Sequence, residues 1–247
     1  MDFIFHLGRY FLLMRRAFAK PEKFSIYKDR ILEEIMTIGV GSLGIVTIIS
    51  VFLAAVVTIQ SAFSFHANPL IPLYAVGEAV RDSMILEFSP AIISLILAGK
   101  VGSSIASEIG SMRYSEQIDA LEIMGVNSAG YLILPKIIAS LFFQPVLVIY
   151  SMFLGILGGY ILGLASGMVT SYEFIYGITY EFKPFSVTYA LIKAEVFAFI
   201  IVSVPAYYGY YVKGGTLAVG KASTRAVVYS SIIILTFDLI LTQLLMA

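Results

Sequence analysis

Two long stretches without a single Asp, Glu, Lys or Arg constrain the fold of this chain more than any other feature. They run from Ile35 to Gly77 and from Ile137 to Tyr172. A helix needs roughly 20 mostly apolar residues to cross a bilayer, so each stretch is long enough to do so. Of the 247 residues, 59% are hydrophobic and only 13% are charged, whereas soluble domains carry about 25% charged residues. The sequence therefore predicts an all-α integral membrane protein.

Hydrophobic segments of sufficient length recur five times along the chain. The third exceeds the thickness of a bilayer at about 1.5 Å per residue, so it is expected to tilt, to bend near Pro145 or to project beyond the surface. Pro184 precedes the fourth, and Pro205 is expected to kink it. We place the five spans, within a single domain 1–247, at about 38–63, 84–107, 134–166, 186–212 and 225–246.

The N-terminal segment, residues 1–30, is basic as well as apolar. Residues 3–18 are too short to span a membrane and contain Arg9, Arg15 and Arg16, which predicts an amphipathic helix at the membrane surface. Of the 16 lysines and arginines, 13 fall on the side of the N-terminus when Lys100 and Lys136 are counted with the connection between the second and third spans. Two fall on the other side, and Lys193 lies inside a span. Because cytoplasmic loops are rich in Lys and Arg, we predict a cytoplasmic N-terminus and a C-terminus outside.

Two short segments match nucleotide-binding motifs, but their context argues against that function. Residues 39–44 read GVGSLG, yet a dinucleotide site requires a preceding strand, and small residues for helix packing are the better interpretation. Residues 215–221 read GTLAVGK, but Ala222 stands where Ser or Thr would hold Mg²⁺, and we interpret the segment as a connection. Cysteine is absent and only two histidines are present. No metal, cofactor or catalytic residue is therefore expected in this chain, and its neutral charge suggests no nucleic-acid partner.

The connection between the second and third spans, residues 105–127, is longer than a minimal loop. Ser115 is a plausible helix N-cap and Gly125 suits a helix end, which predicts a short helix over about 115–124. One face of that helix would carry three carboxylates and another three apolar side chains: Glu116, Asp119 and Glu122, and Ile118, Leu121 and Met124. The pattern leaves two interpretations open, a surface helix that rests on the membrane and a helix that docks on a basic groove of a partner protein.

Three segments resemble a single family. The longest is AGKVGSSIASEIGSMRYSEQIDALEIMGVNSAGYLILPKIIAS, residues 98–140, and the others are GGTLAVGKASTRAVVYSSIIILTFDLILT, residues 214–242, and YALIKAEVFAF, residues 189–199. They are similar to the MlaE (YrbE) family of ABC transporter permeases, which maintain outer-membrane lipid asymmetry, and the resemblance covers nearly the whole chain. It implies a multi-pass permease of the cell inner membrane that moves phospholipid or a related lipid.

The resemblance also implies partners. The segment that matches the family's coupling helix is 108–125, which docks on a separate ATPase that binds ATP and Mg²⁺. A second copy of the chain and a substrate-binding protein of the MCE class on the outer side complete the implied assembly. The resemblance places these residues in or beside the coupling helix: Glu108, Met112, Arg113, Glu116, Gln117, Asp119 and Glu122.

Three charged residues fall inside predicted spans at similar depth, where charges are costly and often functional. They are Glu87, Lys193 and Asp238, and they could pair with one another. One interpretation is a structural ion pair or snorkelling to the interface; another is a polar rim where Lys193 attracts a lipid phosphate. In the family that Glu87 and Lys193 match, lipid sits in a pocket between two copies. Relatives often carry Arg where this chain has Leu86, so head-group contacts are expected to differ.

The last turns of the first span supply further candidates for this pocket. Val57, Gln60 and Phe63 could line it, with packing against lipid as the equal alternative. Small residues in the second span and Gly155, Gly159 and Gly163 in the third favour close helix packing within the chain over a dimer contact. A rival function is a secondary transporter or channel that works alone through the intramembrane charges, and another is a scaffold that transports nothing.

Overall fold

The computed structural model of the chain describes residues 2–19, 24–68 and 70–246, and these residues form helices and no strand. Five helices are long and apolar enough to cross a membrane, which confirms the all-α class and the five predicted spans. From the first to the fifth, these spans are Tyr27–His66, Ala75–Tyr114, Ser128–Ala165, Phe185–Tyr210 and Thr216–Leu245. Three further helices are shorter than these spans: Asp2–Phe18, which precedes the first span, Gln117–Ile123 and Ser171–Thr179.

All five helices begin before the predicted spans, and the first two also end after them, because a helix does not end where its apolar stretch meets water. The fifth begins at Thr216 rather than near 225, so residues 216–221 form its first turns and our interpretation of them as a connection was wrong. Lys100 and Lys136, which we counted in a connection, both lie within spanning helices. The GVGSLG segment lies in a continuous helical stretch of the first span, without a strand before it.

The first two spans are not uniform α-helices. The first passes through a π-helical turn at Ile35–Gly39 and a 3₁₀ turn at Val40–Ser42 before the α-helix Leu43–His66. The second contains π-helical turns at Met84–Ile92 and Ala98–Gly102. Pro90 lies inside the first of these, where its missing N–H is accommodated by the wider turn. The π-helical turn Met84–Ile92 contains Glu87, one of the predicted site residues.

The N-terminal helix Asp2–Phe18 is amphipathic, as the sequence predicts. Leu13, Met14 and Ala17 are buried, whereas Ile4 and Phe11 are exposed. An exposed apolar face beside arginines is typical of a helix that lies in a membrane interface. Its position at the membrane surface remains a prediction.

Contacts divide the chain into two compact units. The first unit consists of Met1–Gly41, Ser94–Gln144 and Glu195–Ala247, and the second unit consists of Ser42–Ile93 and Pro145–Ala194. The first four spans each contribute residues to both units, and the fifth span belongs to the first unit alone. The single permease domain expected from the sequence remains a prediction.

Small residues allow the helices of the first unit to approach closely. Helix Ser103–Tyr114 packs against the fifth span, where a Cβ on Gly110 would lie 3.1 Å from Val219. A Cβ on Gly209 would lie 2.7 Å from the carbonyl oxygen of Ala106. These approaches agree with the packing role that the sequence assigns to the small residues of the second span.

The second unit has the same kind of packing around the glycines of the third span. A Cβ on Gly155 would overlap Met84, and one on Gly159 would lie 2.7 Å from the Thr58 hydroxyl oxygen. Gly163 contacts the same threonine. Packing within the chain, the interpretation that the sequence favours for these glycines, is confirmed.

Helices Ala75–Ser83 and Ser171–Thr179 meet backbone to backbone in the second unit. A Cβ on Gly177 would overlap the carbonyl oxygen of Tyr74, and one on Gly77 would overlap that of Phe174. The buried Arg81 guanidinium donates hydrogen bonds to the carbonyls of Ile178, at 3.0 Å, and Tyr180, at 2.6 Å. It therefore satisfies carbonyl groups that the end of helix Ser171–Thr179 leaves open.

Candidate functional site

A charged pair lies among apolar side chains of the second unit. The Lys193 ammonium donates to the Glu87 carboxylate at 3.0 Å, and the lysine side chain is 0% exposed whereas that of Glu87 is 42% exposed. The same ammonium lies 3.4 Å from the Leu86 carbonyl oxygen and 4.6 Å from the centroid of the Tyr189 ring. The predicted approach of these two charges is confirmed.

The elements that hold this pair explain its geometry. Lys193 lies two turns into the helix Phe185–Tyr210, and Glu87 lies in the π-helical turn Met84–Ile92 of the second span. Beside them, Ile85, Val148 and Ala190 belong to one buried cluster that also contains Met152 and Ala194. A buried ammonium in such apolar surroundings needs an anionic or carbonyl partner, and the structure supplies both kinds. The pair therefore presents one accessible carboxylate at the edge of an apolar region.

The other predicted pocket residues, Val57, Gln60 and Phe63, differ from one another in exposure. Val57 packs against a buried cluster that contains Ala54, Val80 and Met84, whereas Gln60 and Phe63 are exposed. All three belong to the second unit with Glu87 and Lys193, while Asp238 belongs to the first unit. The ion pair described inside the spans thus joins two of the three predicted charges.

The segment predicted as a connection, residues 105–127, begins inside the last helix of the second span and continues through a sharp turn into a short helix. Helix Ser103–Tyr114 ends at Ser115, whose hydroxyl donates to the Ser111 carbonyl at 2.9 Å. Ser115 therefore belongs to the end of the preceding helix, and our assignment of it as an N-cap was wrong. Glu116 takes a left-handed φ of 61° before the short helix Gln117–Ile123. Gly125 follows with a φ of 78°, so the predicted glycine helix end is confirmed.

The predicted acidic face of this segment is largely engaged within the first unit. Arg113 donates to the Asp119 carboxylate at 2.7 Å. The Glu122 carboxylate pairs with Arg16 at 3.0 Å and accepts hydrogen bonds from Ser128 and Tyr210, both at 2.9 Å. Asp119 and Glu122 thus already have cationic partners within the chain, and the docking of the three carboxylates on a partner protein stays a prediction. Arg113 pairs with Asp119 and Arg16 pairs with Glu122, whereas Glu116 is exposed.

The electrostatics of Glu122 follow from these contacts. Burial raises the pKa of its carboxyl, but the hydrogen bonds from Ser128 and Tyr210 and the charges of Arg16 and Arg113 outweigh burial, so the pKa is lowered. The carboxylate therefore stays ionised and ties the short helix to the N-terminal helix and to the third and fourth spans.

The apolar stripe of the short helix also differs from the prediction. Ile118 is fully buried, whereas Met124 is 68% exposed, so these residues do not form one continuous face. The sharp turn at Glu116 rotates the short helix and brings Ile118 inward. Ile123, which the stripe omitted, is 87% exposed. The exposed tip of the segment, which we define as Glu116, Gln117, Ile123 and Met124, is thus partly apolar.

A further ionic cluster at the base of this segment was missed by sequence reasoning. The buried Lys136 ammonium pairs with Glu34 and, at 2.8 Å, with Glu108. It thereby links the first, second and third spans within the first unit. The signal was available in the sequence, because Lys136 is flanked by the apolar segments 131–135 and 137–143. Met112, predicted beside Glu108 in the coupling segment, is half-buried.

No group of three His, Cys, Asp or Glu side chains among the described residues is close enough to hold a metal ion.

Known proteins resemble this chain over almost its whole length. The family model for the permease MlaE matches residues 31–244. A probable ABC transporter permease protein of Rickettsia bellii is 34% identical over 96% of this chain and 91% of its own length. The chloroplastic protein TRIGALACTOSYLDIACYLGLYCEROL 1 of Arabidopsis thaliana is 31% identical over 90% of this chain and 63% of its own length. The intermembrane phospholipid transport system permease protein MlaE of Haemophilus influenzae is 29% identical over 99% of this chain and 94% of its own length.

Proposed function

This chain belongs to the MlaE family of ABC transporter permeases, and on that basis we propose that it moves phospholipid, or a related lipid, between the inner membrane and an MCE-type carrier on the outer side. A separate ATPase that binds ATP and Mg²⁺ drives the movement. The name of the Haemophilus influenzae relative, which refers to intermembrane phospholipid transport, supports the lipid class. In this proposal the N-terminus is cytoplasmic, the C-terminus is periplasmic and two copies of the chain form the membrane part.

The observation that carries the proposal is the interrupted helix between the second and third spans. Its exposed tip offers apolar and polar side chains to a partner. The Arg113–Asp119 pair holds its two helices together, and the pairs of Glu122 with Arg16 and of Glu108 with Lys136 fix it to the rest of the first unit. A rigid, protruding segment of this kind suits a protein that receives motion from another subunit. We assign the direct ATPase contact to the tip, and we assign the transmission of motion to Glu108, Arg113, Asp119 and Glu122.

The charged pair of the second unit is the proposed contact for the lipid head group. The Lys193 ammonium is 0% exposed, so it attracts a phosphate only when the half-exposed Glu87 carboxylate turns to solvent and opens access to it. Gln60 and Phe63 are exposed beside apolar surface of the first span and are assigned to the acyl chains, with Val57 behind them. Asp238 is assigned no lipid contact.

A single substitution at the tip tests the drive mechanism. Ile123→Asp places a charge on a side chain that is 87% exposed, so the fold should tolerate it while an apolar docking contact should not. The matched control is Leu70→Asp, at a side chain that is 91% exposed and lies outside the cytoplasm in the proposed topology. We expect the ATPase to co-purify with the wild type and with Leu70→Asp but not with Ile123→Asp. Equal recovery with all three proteins would overturn the assignment of the tip.

A further inference from the structure

A cavity of about 250 Å³ lies in the first unit, and none of the residues assigned to the lipid or to the ATPase lines it. The N-terminal helix, the end of the fourth span and the start of the fifth span form its walls. Four cations line it, Arg9, Lys213, Lys221 and Arg225, together with His6 and three tyrosines. None of its described lining residues is Asp or Glu. A chain of zero net charge therefore concentrates a quarter of its 16 lysines and arginines around one cavity.

The positive charge of this cavity is not balanced within the described structure. None of the four cations forms an ion pair with a carboxylate whose side chain the structure describes. Lys221 and Arg225 are four residues apart on one helix, where like charges repel and destabilise the helix. Lys213, Lys221 and Arg225 are exposed, so a bound anion could reach all three. An anion in the cavity would relieve the repulsion.

One wall of the cavity is held in place by tyrosines in the last turns of the fourth span and directly after it. The Arg9 guanidinium lies 3.8 Å from the centroid of the Tyr211 ring, in a cation–π contact. The His6 Nδ1 atom lies 2.6 Å from the hydroxyl oxygen of the buried Tyr207. Tyr10 donates to Ser203 at 2.8 Å and fixes the N-terminal helix to the same span. The Arg9 guanidinium on this wall is thus pre-organised, which lowers the entropy lost on binding.

We propose that this cavity binds a phosphate group, carried by the head group of an anionic phospholipid in the adjoining leaflet. The cations lie where the fourth span ends at Tyr210 and the fifth begins at Thr216, which is the level at which head groups meet a spanning helix. The neighbouring N-terminal helix exposes Ile4 and Phe11, which gives acyl chains an apolar surface. Basic pockets of this kind between membrane helices bind anionic head groups.

The site is distinct from the proposed transport site, because Lys193 and Glu87 belong to the second unit. Its occupant therefore acts as a bound lipid that holds the N-terminal helix to the fourth and fifth spans. The inference does not depend on transport, since binding can be measured with the purified protein alone.

Native mass spectrometry of the purified protein tests the proposal. The protein is titrated with phosphatidylglycerol, with phosphatidylcholine of the same acyl chains, and with inorganic phosphate in competition. The test variant is Lys221→Gln with Arg225→Gln, which halves the number of cations in the cavity. The matched control is Arg15→Gln with Lys28→Gln, which removes the same charges from exposed positions outside it. Lys193→Met reports separately on lipid bound at the transport site.

We expect phosphatidylglycerol to bind more tightly than phosphatidylcholine, and the cavity variant to weaken its binding about tenfold, which corresponds to about 1.4 kcal/mol. The control pair should retain this binding, whereas Lys193→Met should lose only the lipid bound at the transport site and keep the lipid that the cavity variant loses. Equal affinity of the cavity variant and the wild type for phosphatidylglycerol would overturn the proposal. Complete displacement of the lipid by millimolar inorganic phosphate would overturn the lipid as the source of the phosphate group.

Discussion

The Lys193 ammonium and the Glu87 carboxylate are 3.0 Å apart, yet only the carboxylate side chain reaches the surface, with 42% of its area exposed against 0% for the lysine. A charge that is buried depends on its partner, whereas a charge that is half exposed can be solvated instead. The two members of the pair are therefore not equivalent. Removal of the carboxylate and removal of the ammonium should therefore change the stability of the protein by different amounts.

Substitutions at this pair should show that asymmetry. Glu87→Ala leaves the buried ammonium without this carboxylate, so we expect it to lower the free energy of unfolding by about 1–3 kcal/mol. Lys193→Met keeps most of the volume and leaves a carboxylate that reaches the surface, so its effect should be smaller. Thermal unfolding in detergent measures both. The double variant should lose less free energy of unfolding than the sum of the two single losses. Strict additivity of the three values would refute a direct interaction.

Lys136 should matter more for stability than either of its partners. Lys136→Met leaves the Glu34 and Glu108 carboxylates close together without a cation, and we expect a loss of about 3 kcal/mol. Glu108→Gln affects a side chain that is 49% exposed, so we expect a loss of about 1 kcal/mol or less. The same unfolding measurement compares the two variants. A Lys136→Met protein as stable as the wild type would show that this ionic cluster does not stabilise the fold.

The sequence was sufficient to predict the helical class and the five spans, because a helix that crosses a bilayer must contain a long, mostly uncharged apolar stretch. Span limits were less predictable. The fifth helix continues through Lys221 and Arg225, since cations do not stop a helix. Apolar length defines what can lie in lipid, not where the hydrogen-bonded backbone ends.

The approach of Lys193 and Glu87 was predictable, because buried charges need partners and few were available at that depth. The fate of Asp119 and Glu122 was not, since their partners include Arg16, which is 106 residues away from Glu122 in the sequence. The left-handed turn at Glu116 was equally hidden, because the residue that adopts it is not glycine. Local patterns identified the segment, and long-range contacts decided which of its faces is free.

The crossing of helices Ala75–Ser83 and Ser171–Thr179 should tolerate no side chain at Gly177. A Cβ there would overlap the Tyr74 carbonyl oxygen, and backbone atoms cannot rotate away, so we expect Gly177→Ala to lower stability by about 1–3 kcal/mol. Gly8→Ala is the control, because nothing lies within 4 Å of a Cβ at Gly8. That substitution should leave stability unchanged or raise it by up to about 1 kcal/mol. The expectation fails if the two alanine variants unfold at the same temperature.

The Glu122 network should give the protein a specific pH dependence. The pKa of this carboxyl is lowered in the folded state by Ser128, Tyr210 and nearby arginines, against the opposing effect of burial. Its contribution is therefore present above the ordinary carboxyl pKa of about 4.3 and is lost as the pH falls through the lower folded-state value.

We accordingly expect Glu122→Gln to reduce the unfolding temperature by a constant amount from neutral pH down to about pH 5, and by less in more acidic solution. Differential scanning fluorimetry across this range measures the difference from the wild type. Glu116→Gln, at an exposed residue outside the network, should have no such effect. A Glu122→Gln difference that grows on acidification would contradict the assigned direction of the pKa shift.

Reconstituted vesicles provide the most direct test of the claim that a second polypeptide drives lipid movement through this chain. The measurement is transfer of a fluorescent phospholipid from vesicles that contain the permease, with and without its ATPase and ATP. We expect transfer only when both are present, and its loss in the Ile123→Asp variant but not in Leu70→Asp. Equal transfer by the permease alone would contradict the account and support a transporter that works by itself.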